Sequence, residues 1–162
     1  MPTVTKTNAR KLPDPPFDGV PYGNAAKLHY TFATDASGVM VDSDSAVAVA
    51  DGDKVILGVI PAGMKLTDSL TIISDGFTAL TTADIGFEYM DGVDDPDVPQ
   101  DADYFNAALD TAAAGRSRSA NTAVAPVVLP KNAFLTLTVG GAAHASAGLL
   151  DIIVEGILTG RK

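Results

Sequence analysis

Residues 54–73 read KVILGVIPAGMKLTDSLTII, and the period of their apolar side chains decides the fold class. Successive side chains of a strand point to opposite faces, so Val55, Leu57 and Val59 share one face and Ile56, Gly58 and Ile60 the other. Pro61 presets the first position of a turn, and Gly63 accepts the left-handed backbone that a three-residue hairpin connection needs. Past the turn, Leu66, Leu70 and Ile72 alternate with Thr67, Ser69 and Thr71. The stretch predicts two strands joined by a tight turn, with Leu66, Leu70 and Ile72 facing the core.

Working outward, the same alternation recurs. Leu28, Tyr30 and Phe32, then Val47 and Val49, precede the decisive stretch. After it come Ile85, Phe87 and Tyr89, the apolar run 124–129, and Leu135, Leu137 and Val139. Leu150, Ile152, Val154 and Leu158 close the series opposite Asp151 and Glu155. These are about eight short strands separated by Gly, Asp, Asn and Pro. A single helical window stands among them: in DADYFNAALDTAAA, residues 101–114, an Asp can cap the first turn, Tyr104, Ala107 and Ala108 share a face, and Gly115 ends it.

A second turn echoes the first. Ile60-Pro-Ala-Gly-Met-Lys-Leu-Thr67 and Leu129-Pro-Lys-Asn-Ala-Phe-Leu-Thr136 follow one pattern, with Gly63 or Asn132 as the left-handed residue. Two related hairpins plus long connections predict an all-β, antiparallel sandwich of jelly-roll or Greek-key type, with one short helix in a loop. The domain spans 24–162. Residues 1–23 differ in kind: five prolines and the cations Lys6, Arg10 and Lys11, with few core-forming residues. Proline fixes φ and removes a ladder donor, so this segment is expected as an extended arm. Phe17 and Tyr22 are its apolar anchors for a neighbouring subunit.

Composition narrows the function classes. The chain has 162 residues and a formal net charge of −9, from 11 Lys+Arg against 20 Asp+Glu. Phosphate and anionic-lipid surfaces need clustered cations, which argues against nucleic-acid and membrane partners. Without cysteine there are no disulfides, thiol nucleophiles or Cys-based metal sites. Six aspartates, Asp91, Asp94, Asp95, Asp97, Asp101 and Asp103, crowd one loop. They lack EF-hand spacing, and Pro96 and Pro99 restrict the chain, so a solvated acidic loop is expected and no metal is assigned. His29 and His144 lie far apart in sequence and read as surface histidines. No nucleophile elbow, Walker loop or dinucleotide fingerprint occurs, so no catalytic residue and no cofactor is assigned. Arg116 and Arg118, in a Ser/Ala/Asn-rich loop, join the arm cations as candidate partner contacts.

The order of Leu57–Gly63, a Thr-rich strand, Ala83–Phe87, Asp101–Phe105 and the Ala/Gly loop 142–148 resembles jelly-roll head decoration, or cement, proteins of tailed bacteriophages. The resemblance covers roughly residues 45–158. It implies a non-enzymatic virion protein, made in the host cytoplasm, that binds the major capsid protein on the outer shell and stabilises it as a homodimer or homotrimer. An alternative is a phage fibre or receptor- or carbohydrate-binding sandwich. Sugar platforms generally use exposed Trp or Tyr; here there is no Trp, and the four Tyr are scattered. A cupin-like metal enzyme would need clustered His and Glu ligands, and a tail or bacterial surface component is a further structural reading.

Overall fold

A computed structural model describes residues 3–6, 24–119 and 125–159. These form nine strands and no helix: β1 (Thr3–Thr5), β2 (Ala25–Thr34), β3 (Lys54–Ile60), β4 (Met64–Asp75), β5 (Thr82–Tyr89), β6 (Asp101–Asp110), β7 (Gly115–Arg118), β8 (Ala133–Gly140) and β9 (Gly148–Leu158). One sheet has the order β1-β3-β8-β5-β6, the other β2-β9-β4-β7. Pairing runs inward from the ends of the chain: β2 with β9, β3 with β8, β4 with β7, β5 with β6. The chain is thus one long antiparallel ribbon, turned at β5–β6 and rolled so that its strands alternate between two sheets. That is the jelly roll. Thr3–Thr5 add a short strand parallel to β3, with Val4 in the core, so these first residues belong to the sheet.

The core lies between the sheets. Phe32, Leu150, Ile152 and Val154 come from one side, and Ile85, Phe87, Tyr89, Leu135 and Leu137 from the other, all nearly free of solvent. Tyr30 and Tyr89 point inward as their phase requires. The Tyr30 hydroxyl donates to the Val59 carbonyl at 2.8 Å, and burial pushes the phenol well above its usual range.

Several sequence expectations are corrected. Residues 101–110 form β6, not a helix. The open edge of β5 supplies backbone partners that outweigh the Ala-rich helical preference. Two register shifts interrupt the pairing of β6 with β5, and the consecutive residues Tyr104, Phe105 and Asn106 are all buried. Ala108 takes a φ of 47°, and its amide is held by the Asp84 carboxylate at 2.7 Å. Residues 47–49 make only the bridge Val39–Ala48, and within the apolar run 124–129 only Val128 bridges, to Lys65. Residues 120–124 lie outside the described set.

The two similar turns also behave differently from two hairpins. The first carries the chain from one sheet to the other, since β3 and β4 do not pair. Gly63 is left-handed as expected, with a φ of 78°. Asn132 is not; its side-chain oxygen instead accepts the Ala62 amide at 2.9 Å. The turns lie against each other, with Gly63 donating to Leu129 and Leu129 to Met64.

The largest departure is in β4. A register shift between Leu66 and Asp68 inserts Thr67 as an extra residue, and every side chain beyond it changes face. Leu66 points into the core, but so do Ser69 and Thr71, both with no exposure, while Leu70 and Ile72 face outward. The Ser119 hydroxyl lies 3.0 Å from the Ser69 amide and 3.1 Å from its hydroxyl. The Thr71 hydroxyl has no hydrogen-bond partner among the described residues. Replacing an unsatisfied buried hydroxyl with a methyl of the same shape removes a desolvation cost, so Thr71→Val is expected to stabilise the fold by about 1–2 kcal/mol. A urea midpoint that does not rise would contradict this.

Candidate functional site

β9 reads GLLDIIVEGIL: its inner phase is apolar throughout, and its outer phase alternates Leu149, Ile153 and Ile157 with Asp151 and Glu155. Leu150, Ile152 and Val154 fill the core, whereas Leu149, Ile153 and Ile157 lie on the outer face, half-buried. The β4 register places Leu70 opposite Ile153 and Ile72 opposite Asp151. The inverted phase of β4 and the outer apolar residues of β9 therefore converge on the outside of the four-stranded sheet. Leu70, Ile72 and Ile153 form its centre, with Leu149 and Ile157 at the two ends. Neither sheet of the sandwich covers them.

Charged groups frame this stripe. On the β2 side, Lys27 pairs with Glu155 at 2.8 Å. His29 lies 2.8 Å from the Asp151 carboxylate, which also accepts the Thr31 hydroxyl. On the β7 side, Arg118 sits opposite Leu70 and Arg116 opposite Ile72. Arg118 bonds to Asp68 of its own chain; Arg116 is exposed and has no ion-pair partner among the described residues. An apolar centre with a polar, arginine-bearing rim is the anatomy of a protein–protein interface.

The sequence-predicted contacts divide into three groups. Arg116 and Arg118, expected in a loop, stand on strand β7 at the rim of this face. Lys6 continues β1: its amide bonds to Ile56 at 3.2 Å and its ammonium to the Thr31 carbonyl at 3.1 Å. Arg10, Lys11, Phe17 and Tyr22 lie outside the described residues. Leu70, Ile72 and Ile153 were missed as surface residues, although the apolar residues on the outer phase of β9 were a readable signal.

Two other features were candidates for chemistry. The acidic loop spends its carboxylates on its own backbone. Asp95 accepts the amides of Asp97 and Val98, and Asp94 those of Asp95 and Gln100. The Val93 amide, aided by Lys131, holds the Asp91 carboxyl below its usual range. No group of three His, Asp or Glu among the described residues is placed to hold a metal. Beside the loop, Phe87, Val98, Pro99, Tyr104 and Val127 line an open cleft of about 330 Å³. His144, expected at the surface, is buried at 3% exposure in edge contact with Phe32 and Phe77, at 5.5 and 4.9 Å. Its Nδ1 has no hydrogen-bond partner among the described residues, and burial pushes its pKa down to about 4.

No family model matches the chain, and no curated protein matches it in sequence. Its fold is similar to that of solved phage structures. One is a chain in the capsid of Ralstonia phage GP4, with a TM-score of 0.63 and 16% identity, matching 99% of this chain and 100% of that one. Another is a chain in the capsid asymmetric unit of cyanophage Pam1, with a TM-score of 0.57 and 13% identity over 91% and 93% of the two chains.

Proposed function

We propose that this protein is a non-enzymatic virion component that binds the outer surface of a bacteriophage capsid, contacts the major capsid protein at many equivalent positions, and stabilises the shell. The observation that carries the reading is the whole-chain fold similarity to a chain of a phage capsid, from end to end of both. Two further features support it. The polar side chains with catalytic potential are committed elsewhere: the loop carboxylates cap backbone amides, and His144 is walled in by aromatic rings. A strongly acidic body with scattered cations also suits many weak, repeated contacts, which a lattice makes effective through multivalency.

In this reading the first segment reaches the shell through Lys6, Arg10, Lys11, Phe17 and Tyr22. Deleting all of residues 1–23 would remove β1 and the buried Val4 along with the arm. The cleaner test reverses Arg10 and Lys11 to Glu and truncates Phe17 and Tyr22 to Ala. Intact protein, mixed with expanded capsids lacking it, is expected to cosediment saturably at a fixed ratio to the major capsid protein. The four-site variant is expected to lose at least tenfold in affinity while keeping its melting temperature. Absence of binding by the intact protein would overturn the reading.

A further inference from the structure

We infer that the end of the sandwich built by the connections 35–53, 76–81, 111–114 and 141–147 is the surface that meets the shell, with Leu80 as its anchor in an apolar, Lys- or Arg-rimmed pocket of the major capsid protein. The inference rests on the shell-binding reading and adds which part of this chain makes the contact. Strand register gathers the four connections at one end: Thr34 is opposite Gly148, Asp75 opposite Leu149, and Thr82 lies between Asp110 and Gly140. Hydrogen bonds join them into one body. The His144 amide donates to the Val49 carbonyl, the Thr34 hydroxyl to the Ser146 carbonyl, the Ala145 amide to the Thr78 hydroxyl, and the Thr111 hydroxyl to that of Thr81 at 2.9 Å.

Leu80 is unusual at this end on two counts. Its φ is 69°, and its exposure of 80% is the highest among the large apolar residues described. The Thr81 amide closes a turn onto the Thr78 carbonyl at 3.2 Å, and the Thr81 hydroxyl reaches the same carbonyl at 2.7 Å. Leu80 thereby occupies the position of positive φ that turns of this kind fill with Gly or Asn. The backbone beside it leaves no room to relax, since a methyl on Gly141 would meet the Leu80 carbonyl at 2.2 Å. A singly exposed leucine is ordinary, but one held outward in a left-handed turn costs the folded chain conformational energy and contributes nothing to the core. Strain of this sort collects at functional positions, and rigidly presented apolar side chains anchor interfaces. Val47, 72% exposed, adds apolar surface at the same end. The charge around them selects the partner. Residues 35–53, 75–82, 110–114 and 140–148 hold seven aspartates, five of them in the first stretch, and no Lys or Arg. A second copy would present the same sign and be repelled, whereas a cationic rim is attracted.

The test compares full-length variants on expanded capsids that lack the protein. Leu80→Gly removes the side chain and suits the turn, so it is expected to keep or raise the urea midpoint while weakening capsid binding at least tenfold. A residue with a merely structural role would move both in the same direction. Leu80→Met keeps a long apolar side chain and should bind within about threefold of the native protein, as should Val93→Ser at the opposite end of the sandwich. Added salt should weaken native binding, because the pocket rim is cationic. The native absence of cysteine supplies a readout independent of Leu80→Gly. A benzophenone maleimide on Leu80→Cys should cross-link to the major capsid protein on irradiation, and one on Val93→Cys should not. Undiminished binding by Leu80→Gly, a urea midpoint lowered by it, salt-insensitive binding, or cross-linking from position 93 and not from 80 would each overturn the inference and leave shell binding standing. No binding by the native protein would overturn both.

Discussion

Phe32→Ala is expected to lower the unfolding free energy by about 3–5 kcal/mol, among the largest effects of any single truncation in the molecule. The ring is 1% exposed on β2 and stacks on Phe77 at 5.2 Å and 25°, with the His144 ring at its edge. The loss exceeds one side chain's transfer energy because the three rings tie together separate segments. Phe77 belongs to the connection between β4 and β5, and His144 to that between β8 and β9. Their neighbours leave no slack: a methyl on Gly148 would meet the Phe77 ring at 2.3 Å, and one on Gly38 the His144 carbonyl at 2.1 Å. The hole cannot close by collapse, so the cavity cost remains. Denaturant titration at constant m-value measures it; a drop below about 1 kcal/mol would mean the ring is not packed as described.

Acidification is expected to act through the same cluster. His144 titrates near 4 in the folded protein, because Phe32, Phe77 and the backbone around Gly38 and Val49 exclude water from the charged ring. Unfolded, it titrates near 6.5. Below that value the unfolded chain takes up a proton that the folded chain refuses. The stability contributed by the neutral buried ring is therefore complete above about pH 6.5 and lost progressively as pH falls toward 4, by about 3 kcal/mol in all. Carboxylates contribute their own pH dependence in the same range, so the informative quantity is the difference from His144→Leu, which removes only the imidazole. The urea midpoint of the native protein should fall relative to that of His144→Leu as the pH drops. Parallel curves would show that His144 takes its proton without opening the cluster.

How much of this was legible in the sequence depends on the range of the physics involved. Strand existence was readable because alternation is local: β2, β3, β5, β8 and β9 stand where Leu28–Phe32, Val55–Ile60, Ile85–Tyr89, Leu135–Val139 and Leu150–Val154 predict. The phase of β4 was not, because one inserted residue at Thr67 exchanges its faces, and no side chain there announces a bulge. β6 was misread because its helical spacing is a local property, whereas its strand state depends on the edge of β5. The burial of His144 was equally invisible, being fixed by Phe32 and Phe77 from distant parts of the chain. On the outer face of the four-stranded sheet, Arg116 and Arg118 stood out as candidates by charge alone. The apolar stripe they border required the register of three strands.

The pairing of β2 with β9 also sets a timetable for biosynthesis. Ala25 is registered with Ile157, so β2 has no sheet partner until β9, residues 148–158, has been made. At roughly 5–20 residues per second, it waits about 6–25 s after leaving the ribosome. Contacts this distant in sequence are also slow to close once the chain is complete. The nascent protein therefore passes through an interval in which Leu28, Tyr30 and Phe32 are unpaired and open to aggregation, and its yield in a cell depends on synthesis rate, temperature and chaperone supply.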